Sequence, residues 1–85
     1  MSRKEKLKKR FLSHSRDFSF QELVALLKGL GYEEDNKGRT SGSRAGFINH
    51  AKKHIISLHK PHPSSILKMY QVETIIEELL KNEVL

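Results

Sequence analysis

Five histidines, at positions 14, 50, 54, 59 and 62, dominate the near-neutral proton chemistry open to this 85-residue sequence, which contains no cysteine. His59 and His62 stand three residues apart, with Lys60 between them and Pro61 and Pro63 flanking the second. Imidazoles beside an ammonium group suit proton transfer around a phosphate. One takes a proton from an attacking hydroxyl, another protonates the leaving oxygen, and the cation stabilises the charge that develops between them. His50 can join the pair across a sheet, and His14 reads as a surface residue. The competing role for His59 and His62 is a hydrogen bond within the Pro-bounded turn. Ligation of a metal by His50, His54, His59 and His62 is not expected, because their spacings fall on strands and a turn and no thiol or nearby carboxylate completes a set. Gly42-Ser43 lacks the Gly-x-x-x-x-Gly-Lys spacing and the following helix of a phosphate-binding loop, so nucleotide chemistry is not expected either, and no cofactor is implied.

The charges that surround these histidines are segregated. Formal charge is +6 from 16 basic and 10 acidic residues, and the isoelectric point is near 9.8. Residues 1–16 carry seven Lys or Arg against Glu5 alone. From Lys37 to Val72 there is no Asp or Glu, while Lys37, Arg39, Arg44, Lys52, Lys53, Lys60 and Lys68 contribute seven positive charges. A solubilising surface intersperses both signs, so this acid-free block reads as a site for a polyanion. For residues 1–10 the simpler reading is a flexible, solvated basic segment.

Periodicity supplies the elements that position these groups. Arg3 to Leu12 can form a short basic helix with Leu7, Phe11 and Leu12 as its apolar positions. Ser19 followed by Glu22 is a capping box, and Phe20, Leu23, Leu27 and Leu30 recur at helical intervals, so a helix is expected over 20–30, ended by Gly31. Tyr32 to Asn36 reads as extended, Asn36 to Gly38 as a turn, and Thr40 to Ser43 as a loop. Ala45 to His50 and Lys53 to His59 read as two strands joined at Ala51-Lys52. With Phe47, Ile56 and Leu58 facing the core, Arg44, Ile48 and His50 share the opposite face with Ser57 and His59. Pro61 and Pro63 stop the strand, and Val72, Ile75, Ile76, Leu79 and Leu80 mark a final helix supported at its start by Tyr70. The fold class is α+β: a three-stranded antiparallel sheet with helices on one face, in the order α-α-β-β-β-α.

Length and composition bound the rest. Eighty-five residues are expected to form one domain, 1–85, with 1–16 as a basic, partly helical extension and 19–82 as the core. The absence of cysteine, of an apolar run approaching ~18 residues and of an apolar stretch behind the basic N-terminus points to a soluble, cytoplasmic protein without a membrane association.

The helix ending in Leu30-Gly31-Tyr32, the Gly42-Ser43 pair opening a strand with Phe47, the run Leu58-His59-Lys60-Pro61-His62-Pro63, and the terminal helix with Ile75 and Leu79 occur in a familiar order. Over Phe20 to Leu80 the chain resembles the toxin component of HicAB toxin-antitoxin systems, small bacterial ribonucleases with a double-stranded-RNA-binding-like α-β-β-β-α core. The resemblance implies metal-independent cleavage of mRNA and a cognate HicB-like antitoxin. The family's functional histidine follows Gly-Ser directly, and Arg44 occupies that position here. Arginine stays protonated and holds phosphate rather than acting as a base. The catalytic candidates are therefore His59, His62, Arg44 and His50, and the RNA-binding candidates are Lys37, Arg39, Ser43, Lys52, Lys53 and Lys60. The alternative is a module on the same fold that binds RNA without cleaving it. A helix-turn-helix built from 3–12 and 20–30 is a third reading, weakened by a second helix in which Lys28 is the single basic residue.

Overall fold

Helices occupy both ends of the chain and strands its middle. The computed structural model describes residues 3–35, 44–61 and 64–85. In chain order the elements are α1 (Arg3–Leu12), α2 (Phe20–Gly29), β1 (Glu33–Asp35), β2 (Arg44–Asn49), β3 (His54–His59) and α3 (Met69–Lys81). The strands form one antiparallel sheet in the order β1-β2-β3, so among the described residues no strand pairs with the outer edge of β3. The expected turn at 36–38, the loop at 40–43 and the residues His62 and Pro63 lie outside the described residues.

Local chemistry sets both ends of α2. The Ser19 hydroxyl accepts from the Glu22 N–H at 3.1 Å and the Glu22 carboxylate accepts from the Ser19 N–H at 3.0 Å, a reciprocal capping box. At the other end Gly31 has a φ of +100°. The Gly31 N–H donates to Lys28 O at 3.2 Å and the Tyr32 N–H to Leu27 O at 2.9 Å, the hydrogen-bond pattern of a Schellman motif. This reversal turns Tyr32 into the core rather than into a strand, which is why β1 starts at Glu33 and not at Tyr32. Replacing Gly31 with alanine places a Cβ in the left-handed region, at a cost of about 1 kcal/mol or more. The expected result is a melting temperature lowered by roughly 4–8 °C for a domain of this size, measurable by circular dichroism; an unchanged melting curve would refute the motif.

Alternation along β3 is strict: His54, Ile56 and Leu58 are buried while Ile55, Ser57 and His59 are exposed. Phe47 pairs with Ile56 and Ala45 with Leu58, and all four lie in the core together with Leu23, Leu26 and Leu27 of α2 and Val72, Ile75, Ile76 and Leu79 of α3. Leu80, expected in the same stripe, is exposed. The joining turn is longer than the expected two residues. Lys53 adopts a φ of +52° and the Lys52 N–H donates to Asn49 Oδ1 at 3.0 Å, so the ladder ends at the Asn49–His54 pair and His50 to Lys53 form the turn.

The helix expected over Arg3 to Leu12 forms as α1, and the simpler reading of 1–10 as a flexible, solvated segment does not hold for it. Leu7 and Phe11 of α1, four residues apart, are buried in the common core, and the Phe11 ring packs 4.9 Å from that of Phe18. Arg10 stands 5.3 Å above the Phe18 ring and ion-pairs with both Asp17 and Glu22, tying α1 to the start of α2. Burial pushes the Glu22 carboxyl up, but the Ser19 N–H and the Arg10 guanidinium outweigh it and hold it below the usual range. Asp17 is lowered by the Ser15 hydroxyl and then by Arg10.

Candidate functional site

His59 is the last residue of β3, exposed by the alternation that buries Leu58, and its Cα partner in the ladder is Arg44. Its backbone is fixed from the helix side. Gln71, buried in the first turn of α3, donates from Nε2 to His59 O at 2.8 Å and accepts the Lys68 N–H on Oε1 at 3.0 Å. One amide therefore joins the end of a strand to the start of a helix. The segment before α3 is pinned as well: the Phe20 N–H donates to Ser65 O at 2.7 Å, the Leu67 N–H donates to Phe18 O at 2.8 Å, and the Leu67 side chain is buried in the core.

Between β3 and α3 lies a cleft of about 180 Å³, lined by Ser57, Leu58 and His59 on one wall and Tyr70, Gln71, Thr74 and Ile75 on the other. Three consecutive strand residues, whose side chains alternate in direction, can share a cleft only along the strand's outer edge. Leu58 and Ile75 supply the apolar floor. Among the described residues the cleft has no acidic lining residue and the first turn of α3 has no acid, so the positive end of the helix dipole is not offset there. Among the described residues, Lys60 and Lys68 make no ion pair. The side chains of Ser57, His59 and Tyr70 make no hydrogen bond to another described residue.

His50 does not join this group. It sits in the turn at the far end of the hairpin, where its Nε2 lies 3.3 Å from Glu33 Oε2. The six residues of β3 between turn and cleft put roughly 20 Å between His50 and His59, at about 3.3 Å per residue. Lys52 and Lys53 occupy the same distant turn. Lys60 follows His59 directly and is exposed. Lys37, Arg39, Ser43 and His62 lie outside the described residues, and Arg44 is placed by its backbone as the ladder partner of His59.

His54 has a structural position. It points inward at the start of β3, with Nδ1 2.7 Å from the Tyr32 hydroxyl and Nε2 2.9 Å from Glu78 Oε1. An imidazole with its hydrogen on Nε2 donates to Glu78 and accepts from Tyr32, leaving no buried ring nitrogen unsatisfied. Burial, and then the Glu78 charge, raise the Tyr32 pKa, so the phenol keeps the proton this arrangement needs. No group of three His, Cys, Asp or Glu among the described residues is placed to hold a metal ion. One contributor to the cleft carried a readable signal that went unused: Gln71 stands three residues after Lys68, the acceptor half of a capping box. Tyr70, expected to support the start of the final helix, is exposed there.

Residues 20–80 match the family described as the HicA toxin of bacterial toxin-antitoxin systems. The chain belongs to the HicA toxin family. The match begins at the first residue of α2 and ends one residue short of the end of α3, so this HicA-family toxin carries α1 in addition to the matched region. Membership implies a cognate antitoxin as its partner. No curated protein and no solved structure matches the chain. Among the described residues, no helix of this HicA-family toxin is long and apolar enough to cross a membrane.

Proposed function

We propose that this HicA-family toxin is a cytoplasmic, metal-independent endoribonuclease that cleaves mRNA at the mouth of the cleft between β3 and α3. The observation that carries the reading is His59, its side chain exposed and making no hydrogen bond to another described residue, its backbone fixed beside an acid-free cleft, and Lys60 following it. In the reaction one imidazole removes the proton from a ribose 2′-hydroxyl, and the 2′-oxygen attacks the adjacent phosphorus. The 5′-oxygen leaves with a proton from a second acid, giving a 2′,3′-cyclic phosphate and a 5′-hydroxyl end. His59 takes one proton role and His62 the other. Arg44, the ladder partner of His59, and Lys60 stabilise the phosphorane charge. Lys37, Arg39 and Ser43 extend the phosphate contacts on the chain leading into β2, while Lys52 and Lys53 meet the RNA further along. The antitoxin silences the toxin by presenting an acidic surface to the same block.

Incubation of the protein with 5′-labelled single-stranded RNA in EDTA tests the proposal, and the expected product carries a cyclic phosphate end. With Lys37, Arg39, Arg44, Lys52, Lys53 and Lys60 on six phosphates, affinity is expected to fall about 300-fold between 50 and 200 mM salt, from a slope of roughly −0.7 per contact on single strands. A flat response would remove the basic surface from the argument. Binding without cleavage in any condition favours the second reading, an RNA-binding module on the same fold. That reading draws its support from Arg44 at the position where the family resemblance places a histidine.

A further inference from the structure

Tyr70 is 62% exposed at the second position of α3, a place where solvent exposure of an aromatic ring has no fold-level benefit. Its neighbours make it a rigid fixture. The segment before it is held by two backbone hydrogen bonds to Phe18 and Phe20, and the next residue, Gln71, is clasped at both ends of its amide. The Thr74 hydroxyl donates to Tyr70 O at 2.7 Å, so the Gln71 and Thr74 side chains that α3 brings to the cleft are already engaged by the protein. What remains for a ligand is a planar ring on one wall, an apolar floor of Leu58 and Ile75, and the Ser57 hydroxyl and His59 imidazole opposite.

We infer that Tyr70 is a stacking platform that receives one nucleobase of single-stranded RNA in the cleft, beside the phosphate that His59 addresses. The assignment rests on the ribonuclease reading and deepens it. A base offers a flat apolar face and a polar edge, matching the ring, floor and hydroxyl of this cleft, and the phosphates that flank it suit the acid-free surroundings. A double-stranded ligand keeps its bases stacked internally, so the platform selects unpaired RNA. Any base has a π-face, so the site sets where the strand lies more than which sequence it has.

The chain contains no tryptophan, so Tyr70→Trp provides a single indole at the platform and Leu80→Trp a control. Leu80 is exposed on the same helix, ten residues and about 15 Å further along. Anisotropy of a labelled single-stranded RNA reports binding independently. The expected result is strong quenching of the Tyr70→Trp emission over the same RNA concentrations that raise the anisotropy, with the Leu80→Trp emission unchanged. Tyr70→Ala is expected to weaken RNA binding about 10- to 100-fold and Tyr70→Phe by less than threefold. RNA binding with no change in indole emission, or a Tyr70→Ala chain that binds RNA as tightly as the starting protein, overturns the platform but leaves the ribonuclease reading standing. That outcome gives the exposed ring to a protein partner instead. Failure of every form to bind RNA overturns both.

Discussion

Replacing His59 with alanine is expected to lower the rate of RNA cleavage by about 10²- to 10⁴-fold, the range associated with loss of a positioned acid or base, while RNA affinity stays within threefold. The separation of the two effects follows from how the residue is held. Gln71 grips the His59 carbonyl rather than its ring, and the ladder to Arg44 is made by the backbone. Removing the imidazole therefore leaves β3, the cleft and its surrounding cations in place. His50→Ala is the matched comparison. His50 is equally a histidine of the hairpin, but it stands beside Glu33 at the opposite end, and its loss is expected to change the rate by less than twofold. Single-turnover assays of the two variants on one RNA decide the matter. Equal losses would show that the cleft is not where the chemistry occurs.

Phe11→Ala is expected to destabilise the protein by about 3–5 kcal/mol, the usual cost of emptying a fully buried phenylalanine site. Phe11 is 0% exposed and packs on Phe18, which in turn underlies Arg10. A chain of this length has roughly 4–13 kcal/mol of total stability at 0.05–0.15 kcal/mol per residue, so the loss threatens the folded state at physiological temperature. Lys6→Ala, an exposed change on the same helix, is expected to stay within about 0.5 kcal/mol. Urea unfolding monitored by circular dichroism measures both. A loss below 1 kcal/mol for Phe11→Ala would mean that α1 does not dock in solution.

Legibility in the sequence tracked the range of the interactions involved. Ser19 with Glu22 and Gly31 after Leu30 are local devices, and their residue types specify the backbone around them; α2 was readable for that reason. The alternation of β2 and β3 was equally clear, and it placed Phe47, Ile56 and Leu58 inward and Ser57 and His59 outward. The helix over Arg3 to Leu12 and its apolar positions Leu7 and Phe11 were readable from their spacing. Its docking was not, because seven basic residues in 1–16 made 1–10 read as a solvated segment and the burial of Leu7 and Phe11 depends on a core shared with α2 and α3. His54 was unreadable in a different way. Its partners are 22 and 24 residues away, and no spacing rule connects a strand residue to a tyrosine behind a helix cap and a glutamate near a helix end. The candidate site divided on register. A hairpin has two ends, and composition counted His50, Lys52, Lys53, His59 and Lys60 as a single basic block where the ladder separates the first three from the last two.

The clasp made by Gln71 has one more implication. A carboxylate in its place, having no hydrogen to donate, could not hold the strand carbonyl at all. An imidazole would gain or lose a proton over the interval in which a neighbouring histidine must do so, and the grip on the strand end would loosen with it. A carboxamide has no such transition. The distance between the end of β3 and the start of α3 is thereby insulated from acidity, so proton traffic at the mouth of the cleft and the mechanical integrity of its walls are governed by different side chains.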